Sequence, residues 1–226
     1  MRVQILGISG TPVKDGNCDK LVQASLQAAE EIDGVETEFI TLADKEIAMC
    51  QHCQYCIVNK TDCKIKDDAQ PIFEKMKQAD GIIIGAPTWL RTVAPPILIL
   101  LSRARSIMFR TYEFRNKVAG AITVSWFGRG MDMAALEILL IESRFMMIPV
   151  VQGMATSSAV AFGRRAEYME HGALDDVGGM VSVRGVGYRV AEVARMIKYA
   201  TDAGIVVPPE YQVTTSGGTI KRKSRE

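Results

Sequence analysis

Four of the chain's five cysteines fall within fourteen residues. Cys50, Cys53 and Cys56 are spaced by two residues each, and Cys63 follows after six more. A thiol at every third position lets a short irregular loop wrap one small object and turn several sulfurs inward. Tight runs of two-residue gaps are the usual sequence form of iron–sulfur ligation. Zinc is the rival occupant, although its sites more often pair two separated C-x2-C knuckles across a longer spacer. Reduced or disulfide-bonded cysteines are the plain alternative. His52 lies between two of the thiols, but a loop histidine beside cysteines ordinarily faces solvent.

Three other stretches carry polar chemistry. Ser9-Gly10-Thr11-Pro12-Val13-Lys14-Asp15-Gly16-Asn17-Cys18 separates an apolar run from an amphipathic segment. A glycine- and hydroxyl-rich turn ahead of a helix start is a ready anion site, because backbone N–H groups converge there. The alternative is an ordinary turn capped by Asn17 or Asp19, and the loop contains neither a Walker A pattern nor G-x-G-x-x-G. Ala86-Pro87-Thr88-Trp89-Leu90-Arg91-Thr92 and Trp126-Phe127-Gly128-Arg129-Gly130 follow two further apolar runs.

The elements that must position these stretches alternate. Strands are expected over Val3 to Ile8, Val35 to Leu42, Gly81 to Gly85, Lys117 to Ser125 and Met147 to Val151. Helices are expected over Asp19 to Glu31, Asp67 to Ala79, Ile97 to Met108, Asp132 to Phe145 and Val186 to Ala203. Strands read as continuous apolar runs where both faces are covered. Five strands each followed by a helix make an α/β doubly wound parallel sheet, whose ligands sit outside the carboxyl ends of the strands. All three polar loops and the cysteine run, inserted after strand 2, land on that edge. Residues 152–184 read as a long glycine-bearing connection, and 206–226 as a flexible polar tail after one domain over 1–205.

Composition excludes other classes. The 226 residues are 48% hydrophobic and 23% charged, with 27 basic and 26 acidic side chains and a net charge of +1. That balance leaves no electrostatic footprint for nucleic acid or an acidic membrane surface. The longest apolar run, Val93 to Leu101, is too short to span a bilayer and contains Pro95 and Pro96. With no signal-peptide pattern at the start and clustered cysteines suited to a metal or redox site, the chain reads as cytoplasmic. Arg103, Arg105 and Arg110 read as a solvated basic face of the third helix, and His171 as a surface residue. Met131, Met133, Met146 and Met147 read as adaptable packing, and Ile57 and Val58 as apolar cover for the cysteines.

Gly7-Ile8-Ser9-Gly10-Thr11-Pro12 with Gly16-Asn17-Cys18, Gly85-Ala86-Pro87-Thr88-Trp89 and the cysteine run together resemble the iron–sulfur flavoproteins of the flavodoxin-like, NAD(P)H-dependent FMN reductase group, over about residues 1–150. The resemblance implies FMN, a four-iron (4Fe-4S) cluster, strand order 2-1-3-4-5, and a homodimer or homotetramer. It assigns Ser9, Thr11, Asn17 and Cys18 to the phosphate loop. Pro87, Thr88, Trp89 and Leu90 fall to the flavin ring, Gly128, Arg129 and Gly130 to its other side, and Cys50, Cys53, Cys56 and Cys63 to the cluster. Cys18 stands where threonine is common, Trp89 where tyrosine is common, and Thr11 where an arginine often follows. The expected function is electron transfer between a ferredoxin-like one-electron carrier or reduced nicotinamide and an acceptor, with no side chain acting as acid or base. An NAD(P)H-dependent FMN or quinone reductase whose cysteines hold zinc or nothing is one alternative. A metal-dependent sensing module without turnover is the other.

Overall fold

A computed structural model describes residues 1–157 and 172–205. In chain order the elements are β1 (Val3–Ser9), α1 (Asn17–Glu30), β2 (Val35–Thr41), a one-turn α2 (Tyr55–Val58), α3 (Ala69–Gln78), β3 (Gly81–Trp89) and β4 (Thr92–Val93). They continue with α4 (Pro95–Ser102), β5 (Val118–Ser125), α5 (Met131–Arg144), β6 (Ile148–Thr156) and α6 (Val177–Asp202). The main sheet runs β2-β1-β3-β5-β6, entirely parallel. The two-residue β4 folds back antiparallel on the end of β3, pairing Thr88 with Val93 and Trp89 with Thr92. Counting only the parallel strands, this is the expected order 2-1-3-4-5.

The strand sequences explain the layering. β1, β3 and β5 are central and covered on both faces, so each is a nearly unbroken apolar run. Side chains alternate across the sheet. Ile82 and Ile84 enter one core with Ile72, Phe73, Ile97 and Leu100, whereas Ile83 enters the other with Leu21, Val22, Val186 and Val190. Helices α3, α4 and α5 therefore cover one face, and α1 and α6 the other. β2, at the edge, alternates buried and exposed residues.

Several expected boundaries move. β3 does not stop at Gly85 but continues through Pro87, Thr88 and Trp89, because β5 pairs with it as far as Pro87 and β4 takes over beyond. The third helix ends at Ser102, where the N–H groups of Arg103 and Ala104 turn to the carbonyls three residues back, Leu100 and Leu101. A five-residue π turn over Ile107–Thr111 follows instead of continuous α-helix. The connection over 152–184 is much shorter than expected: β6 occupies its start, and α6 begins at Val177 rather than Val186. α6 begins early because Asp176 caps it, accepting from Gly179 N at 2.8 Å and from Thr156 N at 2.7 Å. His171 and the tail over 206–226 lie outside the described residues, and no described helix is long and apolar enough to cross a membrane.

One buried group stands apart. Glu142 on α5 is enclosed and neither carboxylate oxygen has a hydrogen-bond partner among the described residues. Burial pushes its carboxyl well above the ordinary range. A raised folded-state value means the carboxyl contributes stability below the ordinary carboxylate pKa and loses it as pH rises. Glu142→Gln is therefore expected to gain about 1–3 kcal/mol over the parent near pH ~8, shrinking toward pH ~4, as read from urea midpoints. An equal gain at both pH values would refute this account.

Candidate active site and cysteine loop

The order of strands reverses between β1 and β3, and a crevice opens where their following loops part. A cleft of about 150 Å³ lies there, walled by the turn after β1, the end of β3 and the end of β5. Of the residues assigned from sequence, the structure brings Thr11, Asn17, Cys18, Pro87, Thr88 and Trp89 together on its walls. Pro12, Val13, Gly16, Val124 and Ser125 join them without having been singled out, and Trp126 forms the far wall. Ser125 could have been found: it is the polar residue ending an otherwise apolar strand, in the position Ser9 occupies on β1.

The turn after β1 is fixed from both ends. Thr11 Oγ1 accepts from Val13 N at 3.1 Å. Asp19, buried in the first turn of α1, accepts from Asp15 N at 2.8 Å and from Thr41 Oγ1 at 3.0 Å. Both of its oxygens are thereby occupied by the turn and by β2. Gly16 is the N-cap residue, and neither Asn17 nor Asp19 caps the helix with its side chain, as the plain alternative had it. The leading N–H groups of α1 belong to Asn17 and Cys18, and such groups have no partner within the helix.

Two polar atoms on the walls of this cleft, Asn17 Nδ2 and Ser125 Oγ, are buried without a hydrogen-bond partner among the described residues. Asn17 Oδ1 is used, accepting from Ala173 N at 2.9 Å, which leaves its Nδ2 as the free donor. Burial pushes the Cys18 thiol up to about 12, so it stays neutral, although nearby Ser9 favours the thiolate slightly. Unpaired donors around a helix start fit a phosphate monoester, and the two indoles fit a flat ring. The residues present thus suit FMN. The remaining assigned residues stand apart. Ser9 is enclosed behind the cleft, and Leu90 is 100% exposed outside it. Gly128, Arg129 and Gly130 form the next turn outward. There Gly130, at φ +78°, lies so close to Arg91 that a Cβ would come within 2.6 Å of its Cα.

The cysteine loop leaves the same edge of the sheet after β2. His52, Gln54 and Lys60 are all left-handed, with φ of +52°, +59° and +51°. Non-glycine residues rarely accept that region, and here two of them flank Cys53. Cys56 is buried, Cys50 and Cys63 are half-buried, and Cys53 is exposed. Burial raises the Cys56 thiol above its ordinary value, and the Cys63 and Cys50 sulfurs add to the shift. Among the described residues no three Cys, His, Asp or Glu side chains close into a metal cage. The all-sulfur donor set suits a cluster or zinc, with ligation and loop closure as one event. His52 is exposed, as expected, but Val58 is 75% exposed and shields nothing.

The arginines overturn their expected role. Arg103 is buried rather than solvated. Its Nη1 donates to Asp67 Oδ2 at 2.5 Å and to Ala48 O at 2.8 Å, and its Nη2 to Ile65 O at 3.1 Å. Arg105 Nη2 donates to Gln54 Oε1 at 3.3 Å, and Arg110 donates to the carbonyls of Lys60 and Thr61. Ser102 Oγ accepts from Cys50 N at 3.3 Å. The chain from Ser102 to Arg110 is therefore a clasp on the cysteine loop. Burial alone would raise the Asp67 carboxyl, but the Arg103 guanidinium and the N–H groups of Ala48 and Ala69 hold it below its ordinary value.

Comparison with known proteins places this geometry. Residues 3–163 match the family model described as NADPH-dependent FMN reductase. An iron–sulfur flavoprotein of Methanocaldococcus jannaschii is 35% identical over 198 residues, covering 87% of this chain and all of the relative. Among solved structures, RosB with bound 8-demethyl-8-formylriboflavin-5′-phosphate superposes with a TM-score of 0.67 at 16% identity, over 99% of this chain and 96% of the other. A flavodoxin, WrbA-like protein from Agrobacterium tumefaciens gives 0.59 at 17%, over 87% and 99%. At those identities the two structures establish the flavodoxin-like fold alone.

The clasp makes a stability prediction. Asp67→Ala leaves the Arg103 charge buried and unpaired, which should cost about 3–5 kcal/mol and speed tryptic cleavage at Lys60, Lys64 and Lys66. The double variant Arg103→Met with Asp67→Leu should recover most of the melting temperature. In the parent the pair survives until pH falls below the ordinary carboxylate value of ~3.9. Unchanged cleavage in Asp67→Ala would show that the pair does not hold the loop.

Proposed function

This chain belongs to the NADPH-dependent FMN reductase family, and within it to the iron–sulfur flavoproteins. On that premise we propose that it moves electrons between a ferredoxin-like carrier or reduced nicotinamide and an acceptor, through FMN and a four-iron (4Fe-4S) cluster. The observation that carries the proposal is the meeting of the α1 start with the ends of β3 and β5 in one cleft with unpartnered donors, beside an arginine-clasped loop of four thiols. FMN exchanges electrons singly or in pairs whereas such a cluster passes one at a time, so the two together convert between one- and two-electron partners.

The chain's residues supply binding, burial and orientation. Asn17 and Cys18 offer backbone N–H groups to the phosphate, with Asn17 Nδ2 and the Thr11 hydroxyl beside them and the helix dipole behind. The Cys18 thiol, neutral to about 12, adds no negative charge beside that anion. Pro87, Thr88, Trp89 and Trp126 enclose the ring and exclude water. Gly128, Arg129 and Gly130 act one step away, through the close packing of Gly130 on Arg91. Cys50, Cys53, Cys56 and Cys63 are the cluster ligands. No side chain moves a proton. The exposed stripe of Met133, Leu136 and Leu140 on α5 supports pairing with a second copy.

Two experiments test this reading. Asn17→Asp keeps the acceptor for Ala173 but replaces the free donor with a negative oxygen. Its affinity for FMN should fall at least about tenfold by flavin-fluorescence titration, and unchanged affinity would place the phosphate elsewhere. Anaerobic purification should give iron, acid-labile sulfide and flavin together, with Cys53→Ala losing iron and keeping flavin. Zinc without sulfide would select the plain reductase, and loss of both cofactors in Cys53→Ala would show that the two sites are not separable.

A further inference from the structure

Two buried nitrogens of the clasp have no hydrogen-bond partner among the described residues. Arg103 spends both terminal nitrogens on Asp67, Ala48 and Ile65, and its Nε is one of the two. Arg105 spends Nη2 on Gln54, immediately after Cys53, and its Nε is likewise buried and unpartnered. Both guanidiniums are tied to the thiol loop. The residues they bond, Ala48, Gln54 and Ile65, lie one or two positions from Cys50, Cys53 and Cys63, and Cys50 N donates to the neighbouring Ser102 Oγ at 3.3 Å. Arg105 is further fixed over the Phe109 ring, 5.3 Å from its centroid. Each is a permanently charged donor, since a guanidinium does not lose its proton in a protein.

A buried donor left unpaired is unfavourable unless something fills it. Here the unfilled donors belong to side chains whose other nitrogens already hold the thiol loop. We propose that Arg103 and Arg105 direct their Nε–H groups at the sulfurs of the cluster held by Cys50, Cys53, Cys56 and Cys63, and that Arg105 thereby sets its reduction potential. The inference rests on the proposed function, because it requires a cluster in that loop. The physical reason is charge. One-electron reduction adds a negative charge to the cluster, and that charge spreads onto its sulfurs. Positive donors aimed at sulfur stabilise the reduced form more than the oxidised form and raise the potential. Arg103 cannot be tested cleanly because its pair with Asp67 holds the loop. Arg105 can, since its one hydrogen bond to the loop is to a side chain.

The experiment is a dye-equilibrated redox titration of the anaerobically purified holoprotein, following the cluster by electron paramagnetic resonance and the flavin by absorbance. Arg105→Gln removes the charge, and Arg105→Lys keeps it without the fixed planar donors. Arg105→Gln is expected to shift the cluster's one-electron equilibrium toward the oxidised form by about tenfold, equivalent to about 59 mV, with the flavin unmoved. Arg105→Lys should show a smaller shift in the same direction. A cluster potential unchanged in Arg105→Gln overturns this inference alone, and so does an equal shift of flavin and cluster. Should Arg105→Gln fail to retain iron, Arg105→Lys carries the test by its own shift, and loss of iron from both makes Arg105 an anchor and overturns the tuning role. A parent protein without iron overturns the proposed function along with it.

Discussion

The close seating of α1 against the sheet is the constraint on which the site depends. Gly7 on β1 and Gly85 on β3 lie directly beneath the helix. A Cβ at Gly85 would fall 2.3 Å from Val22 Cγ2, and one at Gly7 would fall 2.7 Å from both Val22 and Leu26. Interiors packed at crystal-like density do not absorb such overlaps without moving backbone. With the glycines in place, the helix start drops into the crevice between β1 and β3, and its leading N–H groups face the strand ends. α6 presses from behind by the same device: Gly187 approaches Ser25 so closely that a Cβ there would lie 1.9 Å from the carbonyl oxygen. The cleft is therefore held where glycine backbone meets the side chains of α1 and, at Gly187, the backbone of α1 itself.

The cysteine loop obeys a different logic. It has little regular structure, and its thiols are too few and too exposed to fold it by burial. What holds it is a set of bonds to its backbone from Ser102, Arg103 and Arg110, with the Asp67 pair at the centre. An ion pair with side chains 1% and 10% exposed is a weak source of net stability but a strict determinant of position. The chain thus fixes one part of its redox apparatus by apolar packing and the other by charge, and the two meet along one sheet edge.

Much of this was legible because the central strands carry their own signature. Ile82-Ile83-Ile84 and Val118-Ala119-Gly120-Ala121-Ile122 admit few readings other than covered strands, and their alternation with amphipathic segments dictates the wound sheet and its functional edge. What was not legible is non-local. Arg103, Arg105 and Arg110 look like a solvated face because their partners lie 36 to 55 residues earlier in the chain. The first nine residues of α6 were hidden by Gly178, Gly179 and Gly185, poor helix formers in isolation. Gly179 and Gly187 are present because α6 must touch β6 and α1. The end of β3 was disguised by Pro87 and Thr88, which read as a loop until β5 is seen to pair with the first and β4 with the second.

Trp89 terminates a strand braced by β4. The brace is bolted to α5, since Glu137 accepts from the Thr92 hydroxyl at 2.6 Å and from Val93 N at 2.8 Å. This indole, 46% exposed, stands as one post of the cleft. The opposite post, Trp126, begins a turn that passes through left-handed Gly128 and Gly130 before α5 begins, with Phe127 stacked alongside at 4.9 Å. The cleft is thus framed by a braced strand end on one side and, on the other, by the turn that follows β5, which packs back on Arg91 through Gly130.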